Sequence, residues 1–512
     1  MFGSHQIIKD AFWQILGRVF SALGGLVTIK LMTPFLGPLR YGDYNTILKY
    51  FAIWSALADL GLYTIALREL GKLKDRLIKQ GGDLYAINHP ELNKYYSQFM
   101  GSRVINLFIV YGIALIVAYL IPSYHSNPFI LRGLPLGMLF SATFVLGYFF
   151  QLPHQLYWSM HHTSISLIIA RLGQIGLLLL IIFGFDVGEV TNPTRSNIII
   201  FILILCTVVG SGVFQIAYQW RTGKRFMSLS RKLDRTFFRN HITENRKYGV
   251  GYFMSSFHTL AVGLLLSRMY PTKDGFIFVG VWGLAMTLVE ILLIIPSSLG
   301  NSALHKIAGK SLEEKKSFIG SLLIIVRVIG GLIALNFGWF SSEIISFVGG
   351  TKYLASTLGS RGSDSLLGRL GVALLLTFTK QIFNYMLIAT DHQNKLFQIN
   401  TWGVIIGIGA AIGLVYYYGL IGGIIGQLWV ELLYVIGGIR VAWRYNIVPI
   451  ITQDNILKVL LRLGVGSLGG YLIHYFQLLN GSQYADIILI IIYNLILVGL
   501  VYRRMKRLLG ST

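Results

Sequence analysis

Apolar blocks of about 20 residues, the length at which a helix crosses a hydrocarbon core, alternate along this chain with shorter polar gaps. They predict membrane-crossing helices near 12–33, 43–67, 98–121, 134–158, 164–185, 197–220, 249–268, 276–300, 318–340, 366–390, 395–417, 419–443, 455–478 and 485–502. The expected fold class is therefore an all-α integral membrane protein of about 14 transmembrane helices. The first block is too long for a signal-peptide core and no small-residue cleavage site follows it, so it reads as a retained helix.

Composition agrees with the pattern. The 512 residues are 54% hydrophobic and only 13% charged, too few charges to keep a large surface in water. The net charge of +23 would suit a nucleic-acid binder, but the basic residues gather in the gaps, where they report orientation instead. With the N-terminus inside, the inner gaps include 68–97, 221–248, 303–317 and the tail with Arg503, Arg504, Lys506 and Arg507. The outer gaps hold only Arg40, Arg132, Arg195, Arg268, Lys273, Lys352 and Arg361. The tally is about 26 basic residues inside against about 7 outside, which places both termini in the cytoplasm of a multi-pass protein of the inner (plasma) membrane.

The longest basic gap follows six spans and precedes six more. The expected organisation is a six-helix lobe (1–220), a basic cytoplasmic linker (221–248), a second six-helix lobe (249–443), and an extra helix pair with a basic tail (444–512). An even number of spans per lobe gives the lobes one orientation, as a parallel pseudo-repeat. A short echo supports it: His162 and Gly173, eleven residues apart, recur as His392 and Gly403.

Candidate catalytic chemistry is sparse. There is no phosphate-binding loop of the G-x-x-x-x-G-K-[ST] type, and the adjacent pair His161–His162 lacks the i, i+4 spacing of helical metal ligands. The single Cys206 excludes a disulfide framework. The longest outer gap, 341–365, is rich in Gly and Ser rather than carboxylates, unlike the acceptor-holding part of a membrane glycan polymerase or ligase. The chain reads as a non-enzyme without cofactor, for which Na+ or H+ is the candidate coupling ion.

Charge inside the spans carries more information, because a charged side chain at the bilayer centre costs at least ~2.5–3.5 kcal/mol. Lys30, Arg369, Arg440, Lys458 and Arg462 lie near helix ends, where long side chains snorkel to the headgroups. Arg18, Lys49, Arg103, Arg171, Arg327 and Lys380 lie deeper and are the candidate substrate-binding cations of a central cavity. Asp59, Glu290 and Glu431 are too few to neutralise all six; they are candidate buried partners or ion-coupling groups. A surplus of cations suits an anionic ligand such as a phosphate or pyrophosphate. Gly24–Gly25, then Gly403, Gly407, Gly409, Gly413, Gly422, Gly423 and Gly426, are expected to admit close helix packing, and Pro153 and Pro296 to kink their helices.

Four segments in order resemble one family. Leu36-Gly37-Pro38 through Tyr41-Gly42-x-Tyr44, Ala58-Asp59-Leu60-Gly61-Leu62 followed by Arg68-Glu69, Phe347 to Tyr353, and Tyr418-Gly419-Leu420-Ile421-Gly422-Gly423 running on to Glu431 are similar to signatures of one superfamily branch. It is the polysaccharide (Wzx-type) flippase branch of the multidrug/oligosaccharidyl-lipid/polysaccharide exporter superfamily. The family's Ala-rich twelfth helix is Gly-rich here. The resemblance implies two lobes around a cavity that opens alternately to either face. It also implies a lipid-linked oligosaccharide on polyprenyl pyrophosphate as substrate, with membrane lipids and other polysaccharide assembly proteins as partners. Export of small drugs or metabolites and flipping of the peptidoglycan precursor, the activities of related branches, remain the alternatives.

Overall fold

The computed structural model describes residues 4–59, 62–80, 87–157, 159–185, 188–190, 192–229, 253–254, 261–270, 273–297, 299–300, 311–390 and 392–448, and scattered positions between 464 and 493. Every regular element among them is helical. The long helices are α1 (Ser4–Asp59), α2 (Leu62–Lys79), α3 (Pro90–Leu120), α4 (Pro128–Leu156), α5 (Met160–Gly184), α6 (Arg195–Gly223), α7 (Lys273–Leu292), α8 (Leu312–Gly349), α9 (Ser363–Ala389) and α10 (Gln393–Arg444). All but α2 are long and apolar enough to cross a membrane, nine helices among the described residues. The expected spans 455–478 and 485–502 and most of the linker fall largely outside the described residues, as does half of 249–268, whose residues 261–268 are helical.

Two of the nine, at 56 and 52 residues, are long enough to cross twice, since one crossing needs about 20 residues. Each breaks at a single glycine with positive φ: α1 at Gly37 (φ 57°, ψ 176°) and α10 at Gly419 (φ 56°, ψ −129°). The register of contacts shows that α10 doubles back there. A Cβ on Gly403 would meet Tyr434, one on Gly407 would meet Val430, and one on Gly426 would meet Ala411, so positions pair about a common centre near Gly419. Those glycines let two backbones approach, the role small residues play where no hydrophobic driving force separates helix from lipid. Pro153 lies in the last turn of α4, which runs on to Leu156. The expected break at Pro296 is present: α7 is interrupted after Leu292, and the chain is helical again over 294–297.

The chain forms two compact units, Met1–Val279 and Gly280–Thr512. In the first, the half of α1 before Gly37 runs parallel to α5, Gly17 lying on Ser164 and Gly24 on Arg171. The half after it runs parallel to α4, with Gly133 against Ile47 and Gly137 against Phe51. In turn α4 is parallel to α6 (Thr143 on Gly212, His154 on Gly223), whereas α5 and α6 are antiparallel (Gly173 on Phe214, Leu177 on Gly210). The two halves of α1 are therefore antiparallel, and Gly37 is a full reversal. In the second unit α8 and α9 are antiparallel, Ala334 meeting Gly371 and Ser342 donating to Asp364 (3.1 Å).

One element corrects the expected second span, 43–67. The helix stops at Asp59, and Leu62 begins α2, a separate amphipathic helix. Its apolar positions Ala66, Leu70, Leu73 and Leu77 recur every three or four residues and are buried with Leu92, Tyr96, Phe99, Phe149, Leu152, Leu156 and Met227. Lys74, counted above only as an orientation signal, is 7% exposed. Its Nζ donates to the Leu156 carbonyl at the end of α4 (2.9 Å) and lies 4.1 Å from the Tyr157 ring centre. A cation on terminal carbonyls is favourable because the last C=O groups of a helix have no internal partner.

Candidate functional site

The deep cations divide by the partner each is given. On α3, Arg103 is 1% exposed and forms an ion pair with Asp59, the last residue of α1. Asn106, one turn on, donates to the Ala58 carbonyl (2.6 Å), so α3 holds the end of α1 through both side chains. On α9, Lys380 reaches both carboxylate oxygens of Glu431 on α10 (3.0 and 2.9 Å), with Gln427 donating to Glu431 (3.2 Å) and the Tyr434 ring 4.7 Å from Nζ. These two acids neutralise one deep cation in each unit.

Three cations have no carboxylate partner among the described residues. Arg18 is half-buried on α1, within electrostatic reach of the Tyr63 and Tyr148 hydroxyls. Arg327 is half-buried midway along α8. Arg171, half-buried on α5, donates from Nε to Ser21 (3.1 Å) and from Nη1 to Gln174 (2.8 Å), both neutral acceptors. Lys49 and Glu290 are half-buried, on α1 and α7. Arg369 and Arg440 are exposed, on α9 and α10. Lys458 and Arg462 lie outside the described residues.

The family-like motifs turn out to build corners. After Gly37, Arg40 donates to Asp43 (2.7 Å) and lies 3.8 Å from the Phe129 ring centre. Asn127 both donates to Asp43 (2.7 Å) and caps α4 by accepting from the Phe129 N–H (3.1 Å). Tyr41 and Tyr44 stack beside them, both buried. Arg40, expected in an open outer gap, is thus part of a buried lock on the reversal. The last motif supplies Gly419 for its reversal and Glu431 for the ion pair with Lys380. In the segment from Phe347 to Tyr353, Gly350 takes φ 85° where α8 ends, and Tyr353 is fully buried.

The His–Gly echo has a structural counterpart in each unit. His162 Nδ1 lies 3.3 Å from the Tyr218 hydroxyl, and His392 packs its ring 4.4 Å from that of Tyr445. Gly173 rests on Phe214 as Gly403 rests on Tyr434. Sequence reading did not find the third ring of the first cluster, His154, which is fully buried between Ser159 and the Gln219 carbonyl. Nor did it find α2, whose 3.6-residue period is visible in Leu62, Ala66, Leu70, Leu73 and Leu77 but is interrupted by seven charged residues.

A groove of about 610 Å³ opens on the second unit, lined by Leu376, Gly409, Gly413, Ile425, Trp429 and Leu432 among others. Its lining is apolar and suits hydrocarbon rather than a charged group. Gly409 and Gly413, unlike Gly403 and Gly407, have no atom within 4 Å of an added Cβ.

Comparison with solved structures places this fold. The lipid II flippase MurJ in an inward closed conformation superposes with a TM-score of 0.67 at 15% identity, covering 96% of this chain and 99% of that one. An inward-facing multidrug resistance MATE family transporter of the MOP superfamily gives 0.58 at 13% identity, covering 83% and 94%. A point mutant of the Vibrio cholerae MATE transporter VcmN gives 0.54 at 12% identity, covering 87% and 98%. No curated protein sequence matches significantly. The profile of the family described as polysaccharide biosynthesis protein matches residues 7–305, well over half of the chain. With that match and the membrane-spanning helices, the chain is a multi-pass membrane protein that belongs to the polysaccharide biosynthesis protein family.

Proposed function

We propose that this protein flips a polyprenyl-pyrophosphate-linked oligosaccharide from the cytoplasmic to the outer leaflet of the inner membrane by alternating access, supplying surface polysaccharide synthesis. Two six-helix lobes, 1–220 and 249–443, would surround the cavity, with the linker and both termini cytoplasmic. The observation that carries this reading is the set of span-embedded guanidinium groups, Arg18, Arg171 and Arg327, without carboxylate partners among the described residues. A cation left uncompensated in a membrane span is costly, and an anionic headgroup in transit would offset that cost. The family and the MurJ-like fold point the same way. Lys49 is a further candidate contact. Arg103 and Lys380 would reach the headgroup only in a state where their carboxylates let go.

The test is translocation in proteoliposomes. Purified protein with a fluorescent lipid-linked glycan in the inner leaflet should expose the label to an outside quencher faster than protein-free vesicles do. Equal rates with and without protein, for several glycans, would overturn the reading.

A further inference from the structure

Gly24 and Gly25, in the middle of the first crossing, face a charge rather than a neutral partner. An added Cβ on Gly24 would lie 3.2 Å from Cβ of Arg171, and one on Gly25 would lie 4.0 Å from its Nη2. The Arg171 side chain therefore lies along a stretch of α1 that has no side chains of its own. Two of its three nitrogens are occupied, Nε by Ser21 and Nη1 by Gln174, which is 2% exposed. The remaining edge, Nη2, is turned to the glycine notch. Tyr44, buried, lies within electrostatic reach of the same guanidinium.

Neutral acceptors orient a guanidinium without cancelling its charge, whereas a carboxylate, as Asp59 does for Arg103, would do both. Arg18 adds a second cation on the same strip of α1. Residues 18, 21 and 25 follow the i, i+3, i+7 spacing of a single helix face. Because Gly24 lies level with Arg171, Arg18 sits six residues away along the helix, roughly 9 Å at 1.5 Å per residue. Two long arginine side chains based that far apart can both reach one diphosphate.

We propose that Arg171 is the phosphate-recognising residue of the first unit. In this assignment Ser21 and Gln174 are its positioning residues, Gly24 seats the Arg171 stem, the space beside Gly25 at Nη2 takes the phosphate oxygens, and Arg18 is the second contact. The ligand class is a lipid-linked diphosphate, which in the flipped substrate is esterified by the lipid on one phosphate and by the glycan on the other. The assignment rests on the flippase reading above.

Gln174→Glu separates this role from a structural one. It keeps the contact with Nη1 but turns it into an ion pair, so a structural role is preserved or strengthened while the charge offered to a ligand is cancelled. Full-length protein in nanodiscs would be titrated with a polyprenyl diphosphate, the corresponding polyprenol, and inorganic pyrophosphate, with thermal unfolding measured on the same samples. Wild type should prefer the diphosphate lipid to the polyprenol. Q174E should bind it at least about tenfold more weakly with an unchanged or higher melting temperature, and R171Q and G25V should be weakened similarly. R171K should fall between, since an ammonium keeps charge but loses the planar fork. Tight binding of inorganic pyrophosphate, lost in the same variants, would assign the site to free phosphates and overturn the lipid assignment. Diphosphate affinity in Q174E and R171Q equal to wild type would overturn the role of Arg171 and leave the flippase reading standing. A wild-type protein that does not distinguish diphosphate from alcohol would overturn both.

Discussion

Asp59 closes the second crossing of α1, and its carboxylate is paired with the Arg103 guanidinium from within α3, both groups buried. Removing one partner of such a pair leaves an uncompensated charge, with a cost of roughly 3–5 kcal/mol, whereas replacing both by apolar groups is often nearly neutral. D59N should therefore lower the melting temperature and the yield of monodisperse protein, and D59L/R103L should recover most of both. In whatever D59N protein remains folded, transport should keep its ion dependence. A change of coupling ion or its loss would assign Asp59 to coupling instead.

Lys380 and Glu431 make the corresponding pair in the second unit, through both carboxylate oxygens. K380M and E431Q should each reduce folded protein, by the same argument as for Asp59. The reversed pair, K380E/E431K, should restore folding. It should restore transport as well if the pair is only a brace between α9 and α10; restored folding with transport still absent identifies Lys380 as a substrate contact. Size-exclusion profiles and the proteoliposome assay together read both.

Glycines of α10 that look alike in sequence should respond oppositely to alanine. At Gly407 an added Cβ would fall on the Val430 side chain, well inside van der Waals contact, while at Gly409 nothing lies within 4 Å. G407A should force the hairpin apart and lower stability by about 1–3 kcal/mol, the usual cost of overpacking. G409A should leave stability unchanged or raise it by up to about 1 kcal/mol, because an unobstructed Gly→Ala change within a helix favours the folded state. Thermal unfolding in one detergent decides it, and equal losses at both positions would contradict the packing described for the hairpin.

Orientation is checked by reporter fusions. Fusions after Arg76, Arg235 and Arg504 should read cytoplasmic and those near Arg132 and Lys352 extracytoplasmic, because Lys and Arg are retained inside. An extracytoplasmic signal at Arg504 would mean an odd number of crossings.

The driving force should be electrical. Each negative charge leaving a negative interior through 100 mV gains ~2.3 kcal/mol, so a headgroup with two charges gains ~4–5 kcal/mol, less whatever cavity cations move with it. An interior-negative potential imposed on proteoliposomes should speed outward flipping without ATP, and the reverse potential should slow it. Indifference to potential and to Na+ or H+ gradients, with a strict need for ATP, would rule this out.

Hydrophobic block length and the distribution of Lys and Arg determined, from the sequence alone, that the chain is an all-helical membrane protein, because the cost of exposing backbone polar groups or charges to hydrocarbon applies to each segment separately. The reversals were legible as motifs around Gly37 and Gly419, since a positive φ is a local demand that glycine meets. Partnership was not legible. Nothing in the spacing of Arg103 and Arg171 distinguishes them, yet one is paired with Asp59 and the other held by Ser21 and Gln174. The same holds for Gly407, packed on Val430, and Gly409, open to a groove. Those differences arise from register between helices far apart in the chain, which only packing in three dimensions sets.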